Sequence, residues 1–186
     1  LQCENLKLYL ERTRITELYI DGKKIGRQES LCTPHIYDLN EYIGTGIHEM
    51  TICVSNVGYK TKGGHLTSPD TQTNWNGITG RIELIGYKNA HAENVMLWCD
   101  IHNKTVRVTA NITGGKSGKA VISAESFNSE KNHTPAVQSF EYKDGKLDAL
   151  YKMGDDCLLW SEHEPNLYKL RIDIDGDMSE HIIGMR

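Results

Sequence analysis

Trp75 stands among hydrogen-bonding side chains, Asp70, Gln72, Asn74 and Asn76, in residues 63–84, Gly-Gly-His-Leu-Thr-Ser-Pro-Asp-Thr-Gln-Thr-Asn-Trp-Asn-Gly-Ile-Thr-Gly-Arg-Ile-Glu-Leu. These types suit sugar recognition. An indole face matches the weakly polar C–H face of a pyranose, and planar amides and carboxylates match its rim of hydroxyls. Apolar side chains are too sparse over residues 63–73 for a helix face or a strand face, so core formation does not explain the length of the segment. A second reading stays open. Asx and Ser/Thr side chains also fill loops by bonding local backbone, and a tryptophan beside a strand often anchors a core.

Two other clusters fail chemical tests. Asp173-Ile-Asp175-Gly-Asp177-Met-Ser-Glu180 has acids at alternate positions, but a helix–loop–helix calcium loop needs its glycine sixth and a glutamate twelfth. The glycine here is fourth, and the spacing predicts a hairpin turn. Glu162-His163-Glu164 brings two carboxylates close in sequence. A retaining glycosidase instead sets its pair roughly 5 Å apart across a pocket, in unlike environments. A loop before Pro165 is expected. The eight histidines show no metal-ligand spacing, and no Gly-x-Ser-x-Gly elbow or phosphate-binding loop is present. No catalytic residue, metal or cofactor is assigned.

With 186 residues, the chain suits one large β domain or two of about 90 residues each. Its formal net charge of -4 provides no basic field for phosphate backbones, so no nucleic-acid partner is expected. No apolar run approaches the roughly 18 residues of a membrane-spanning helix, and no membrane partner is expected. Cys3, Cys32, Cys53, Cys99 and Cys157 are odd in number and contain no Cys-x-x-Cys pair; reduced, mostly buried thiols follow. The Asn-x-Ser/Thr triplets at Asn103, Asn111 and Asn132 carry no weight without a secretory context. The compartment, cytoplasmic or periplasmic, stays unassigned.

The elements that must position the loop are strands. Alternation of apolar and polar residues recurs along the chain, and no segment has a helical period. Asp21-Gly22, Asp144-Gly145 and Asp175-Gly176 predict three hairpins, because Asp-Gly supplies the positive φ angles of a type I′ turn. Val106, Val108, Ala110 and Ile112 share one strand face, as do Ala120, Ile122 and Ala124. Residues 33–43 read as a strand ending in a single helical turn near Asp38 or Asn40. The pattern breaks over residues 87–93, which places a boundary near 89 and about seven short strands after it, the count of an immunoglobulin-like sandwich.

Taken together, these segments resemble the non-catalytic N-terminal part of glycoside hydrolase family 2 enzymes, the β-galactosidases, β-glucuronidases and β-mannosidases. Leu18-Tyr-Ile-Asp-Gly-Lys-Lys-Ile-Gly26 resembles the family's hairpin, Thr33-Pro-His-Ile-Tyr-Asp-Leu39 its following strand, and Met50-Thr-Ile-Cys-Val-Ser-Asn56 its next core strand. Gly77-Ile-Thr-Gly-Arg-Ile-Glu-Leu84 resembles its closing strand. Leu159-Trp-Ser-Glu-His-Glu-Pro-Asn-Leu-Tyr168, ahead of a hairpin ending Gly184-Met-Arg186, is similar to the end of its second domain. The resemblance implies an all-β chain: a partial jelly-roll, galactose-binding-like sandwich over residues 1–88, with strands missing at its N-terminus, then an immunoglobulin-like β-sandwich over residues 89–186. It implies a bacterial parent enzyme that hydrolyses terminal β-glycosides with a catalytic barrel in cis, this region being inactive alone and lending its loop to the sugar pocket. Missing strands would leave an exposed edge, so a homo-oligomer is also expected. Thr73 stands where some β-galactosidases place an acid that contacts sugar and sodium. Two alternatives are an autonomous carbohydrate-binding module and a purely structural sandwich pair.

Overall fold

The computed structural model of the chain describes residues 5–60 and 76–186, and these form thirteen strands with no helix among them. The chain divides into two compact units, Leu1–Gly86 and Tyr87–Arg186.

In the first unit the strands are β1 (Asn5–Leu10), β2 (Ile15–Ile20), β3 (Lys23–Glu29), β4 (His35–Asp38), β5 (Met50–Ser55) and β6 (Ile82–Tyr87). They form two three-stranded sheets, ordered β4-β1-β6 and β3-β2-β5. Alternation decides which side faces in: Leu8 and Leu10 from β1, Tyr37 from β4, and Leu18 and Ile20 from β2 meet in one buried cluster with Leu39. The sheets therefore pack face to face, as in the jelly-roll type of sandwich. After β4, Leu39 O accepts N–H bonds from Tyr42 (2.9 Å) and Ile43 (3.0 Å), which is the expected single helical turn. Asp38 Oδ1 starts it by accepting Asn40 N–H at 3.0 Å.

In the second unit, β7 (His91–Asp100), β8 (Thr105–Thr113), β9 (Ser117–Ser126), β10 (Gln138–Lys143), β11 (Lys146–Lys152), β12 (Tyr168–Ile174) and β13 (Asp177–Ile183) run in the order β13-β12-β9-β10-β11-β8-β7. β10 pairs with β9 along its whole length but with β11 only at Lys143↔Lys146, beside the turn. β7 and β13, at opposite ends of that order, nevertheless touch. The sheet thus folds at the β10–β11 hairpin into two layers, β13-β12-β9-β10 over β11-β8-β7, an immunoglobulin-like sandwich. Val106, Val108, Ala110 and Ile112 face inward, as do Ala120, Ile122 and Ala124. Tyr168 supplies a further mark of this fold. It opens β12 fully buried, and its hydroxyl accepts Leu158 N–H at 2.8 Å and lies 2.7 Å from His133 Nδ1. That ties the upstream loop to the sandwich as a tyrosine corner does.

All three Asp-Gly pairs turn as their chemistry requires. Asp21 and Gly22 have φ of 49° and 78°, Asp144 and Gly145 51° and 67°, Asp175 and Gly176 51° and 84°. The acids of residues 173–180 belong to the last hairpin: Asp173 Oδ1 accepts Gly176 N–H at 2.8 Å, and Glu180 pairs with Arg171 at 3.0 Å. The cysteines depart from expectation. Of the four described, Cys32 and Cys53 are exposed, Cys99 half-buried and Cys157 buried, all as free thiols. Strand alternation explains Cys53, which shares the outward face of β5 with exposed Thr51. Burial pushes the Cys99 and Cys157 thiols up, away from the reactive thiolate.

Candidate functional site

Of the proposed sugar-contacting residues, Asp70, Gln72, Asn74 and Trp75 lie outside the described residues. Asn76 is described, and it is exposed on the stem by which the loop rejoins the sandwich. Its Oδ1 accepts Asn56 Nδ2 at 2.6 Å, fastening this stem to the residue just after β5. The preceding stem is fixed to β3 and its connection: Tyr59 hydroxyl accepts Leu31 N–H (3.1 Å), and Lys60 N–H reaches Glu29 Oε1 (3.3 Å). Arg27 clamps Glu29 at 2.9 Å, and that guanidinium holds the Glu29 carboxyl below the usual range.

Toward β6 the returning stem is held more tightly. Thr79 N–H and Oγ1 both donate to Arg12 O (3.1 and 3.2 Å), and Gly80 N–H donates to Glu11 O (3.0 Å). Glu11 Oε2 then accepts Arg81 N–H (3.1 Å) and Nε–H (3.2 Å), while Arg81 Nη2 donates to Tyr9 hydroxyl (3.1 Å). The Arg81 N–H, followed by its guanidinium, keeps the Glu11 carboxyl low. This closeness needs a glycine at position 80, where a Cβ would stand 2.7 Å from Glu11 Cβ.

One sheet end is unusual. Thr13 Oγ1, Arg14 Nε, Arg14 Nη2 and Asn56 Oδ1 are buried without hydrogen-bond partners among the described residues. The strand register puts Ile15 opposite Ser55 and Glu29, so Arg14 and Asn56 come next on facing chains, with Ser30 N–H bonded to Arg14 O at 3.0 Å. Behind this row lies a buried polar bridge between the sheets. Thr16 Oγ1 is 2.7 Å from both His35 Nδ1 and Tyr37 hydroxyl, and Ser30 N–H reaches His35 Nε2 at 3.0 Å. The sequence reading found neither group. Each joins residues far apart in the chain, and no short motif announces it.

The second unit has a different kind of opening, a cavity of about 690 Å³ beside residues 128–131 and 157–166. Its principal polar groups already hold the loops together. Asn128 Nδ2 donates to Pro165 O (2.7 Å), its Oδ1 accepts Leu167 N–H (2.7 Å), and Asn166 Nδ2 donates to Leu159 O (2.9 Å). Glu162 and His163 point to solvent, with side chains 82% and 87% exposed. The Trp160↔Pro165 bridge closes the segment as the expected loop.

Comparison with known proteins agrees with this architecture. A family model for glycosyl hydrolases family 2 matches residues 90–186. A β-galactosidase of Clostridium acetobutylicum is 22% identical over 175 residues, covering 91% of this chain and 19% of that protein. The β-galactosidase large subunit of Lactobacillus acidophilus is 22% identical over 177 residues, covering 91% and 26%. The chain thus spans a fifth to a quarter of the length of these relatives. Among solved structures, β-glucuronidase 2 of Bacteroides uniformis superposes with a TM-score of 0.72 at 14% identity, over 98% of this chain and 24% of that one. A Faecalibacterium prausnitzii β-glucuronidase gives 0.69 at 16%, over 97% and 34%. Such low identities establish the fold alone, whereas the family model covers more than half of the sequence and all but three residues of the second unit. By that match, the chain belongs to glycosyl hydrolases family 2.

Proposed function

We propose that the two units are a non-catalytic region of a retaining β-glycosidase acting on terminal β-linked sugars. In this reading they support a catalytic barrel on the same polypeptide, and the loop with Asp70, Gln72, Asn74, Trp75 and Asn76 lends contacts to the sugar pocket. The observation that carries the proposal is the family match on a unit whose cavity-lining amides are committed to loop closure. The close carboxylates Glu162 and Glu164 sit on an exposed loop bound by Trp160 and Pro165. They lack the contrasting environments that split acid from nucleophile. The doubly fastened stems of the loop support a presenting role for it.

The test is an assay of this chain, and of a full-length relative containing the same region, on nitrophenyl β-glycosides. The expected result is turnover by the relative and none by the chain. Turnover by the 186-residue chain itself would overturn the proposal. Saturable binding of galactose at millimolar concentration by the chain alone would make it an autonomous binding module instead.

A further inference from the structure

A guanidinium stays charged at any pH a protein meets, so it cannot relieve burial by losing its proton. Burying its N–H groups without acceptors is unfavourable, and such groups demand an occupant. In Arg14 the orphaned atoms are Nε and Nη2. They form one edge of the guanidinium, whose parallel N–H bonds match the two oxygens of a carboxylate. Four of the five buried side-chain atoms without partners among the described residues belong to Thr13, Arg14 and Asn56, at the same end of the β3-β2-β5 sheet. The fifth, His48 Nε2, belongs to the opposite end, beside Asp21.

The position favours a ligand. Asn56 Nδ2 is spent on Asn76 of the loop stem, which leaves its Oδ1 as a buried acceptor opposite Arg14. Thr13, 2% exposed, adds a hydroxyl that can donate or accept. A charged fork, a hydroxyl and an amide oxygen together suit a group with a carboxylate and a neighbouring hydroxyl. A neutral apolar group would leave all of them unsatisfied.

We propose that Arg14, with Thr13 and Asn56, forms a carboxylate subsite at the base of the loop. The carboxylate comes either from an acidic sugar such as a uronate or from an acidic side chain of the protein. The inference is independent of the accessory role proposed above, because it concerns binding and not turnover.

The experiment follows the Arg14 Nε–H resonance of the 15N-labelled chain, assigned by its disappearance in Arg14→Lys. D-glucuronate is titrated in, with D-glucose as the neutral control. A saturable downfield shift with glucuronate only, at least about tenfold weaker in apparent affinity with D-glucose, supports the sugar source. A resonance already downfield without ligand, indifferent to glucuronate and moving upfield as pH falls through the carboxylate range, supports the protein source. An Nε–H at a solvent-exposed position, unmoved by either titration, overturns the subsite. The wild-type chain alone distinguishes these outcomes, so the conclusion does not depend on the variant folding.

Discussion

The two sandwiches meet the same requirement, a buried seam between sheets, with different chemistry. In the second unit the seam is apolar along β8, β9 and β12, and two of its buried tyrosines have paired hydroxyls: Tyr168 binds Leu158 N–H, and Tyr151 donates to Ala136 O. Burial pushes Tyr151 up to about 12. In the first unit the corresponding space holds His35, Thr16 and the Tyr37 hydroxyl, and the sheet end beyond them holds Arg14 and Asn56 with unspent polar atoms. Polar groups in a seam weaken it where they lack hydrogen-bond partners, which the bridge has and Arg14 and Asn56 Oδ1 lack among the described residues. The first unit carries its irregularities at the end from which the loop leaves and to which it returns. The second keeps β8, β9 and β12 apolar inside, with His91, buried at the start of β7, paired to Glu93 at 2.7 Å. Their difference lies in where unspent polar atoms collect, which in the first unit is one end of the β3-β2-β5 sheet.

The largest effect should come from the regular core. Ile172 on β12 is fully buried in the apolar cluster, opposite Ile122 of β9, so Ile172→Ala should cost about 2–5 kcal/mol by combining lost transfer energy with a cavity. Amide exchange across β9, β12 and β13 measures it. A loss below about 1 kcal/mol would mean that the seam collapses to fill the space, and the contrast in regularity would fail. A smaller effect is expected at the loop stem. Gly80→Ala places a Cβ within 2.8 Å of Glu11 Cγ and Oε2, which forces Glu11 off Arg81. Urea unfolding followed by first-unit amides should show a loss of about 1–3 kcal/mol, the usual range for overpacking. An unchanged Arg81 N–H resonance would show that the stem does not depend on this contact.

The hairpins were legible because Asp-Gly turn chemistry is local: three dipeptides fix six positive φ angles. The strand faces of β8 and β9 were legible because alternation in one segment already states which side is buried. The bulges were not. An extra residue at Ile25 in β3, and another beside Asn94 (φ 51°) in β7, appear only as a shift against the partner strand. The polar bridge was hidden for the same reason, since Thr16 meets His35 and Tyr37 across 19 and 21 residues. For the candidate site, the sequence pointed to Trp75 and its neighbours by side-chain type. The fastening of Asn76, and the orphaned fork of Arg14, required knowing that residue 15 faces residue 55.

The subtlest difference between the units is in their response to acid. Burial holds His35 below its ordinary value, and its ring partners, Thr16 and Ser30, carry no charge that would favour the imidazolium. Its Nε2 lies 3.0 Å from both Ser30 N and Ser30 O, so a proton there finds the carbonyl as acceptor, and burial outweighs that gain. The unfolded chain therefore binds a proton that the folded first unit refuses. Stability is full above the unfolded histidine's pKa of about 6.5 and falls as pH drops through that value. His181 in the second unit is also held down by burial, but it stands half-exposed on the terminal strand β13 with Ser179 as its partner. Between pH 8 and about 5.5 unperturbed carboxylates stay ionised, which isolates the histidines. His48 in the first unit is held above its ordinary value by Asp21 and gains stability as pH falls, so the reading is wild type against His35→Gln. The first-unit urea midpoint of the wild type should fall relative to that of the variant as pH drops through the window. Parallel midpoints would show that the bridge admits a charged ring, and would remove this distinction between the two seams.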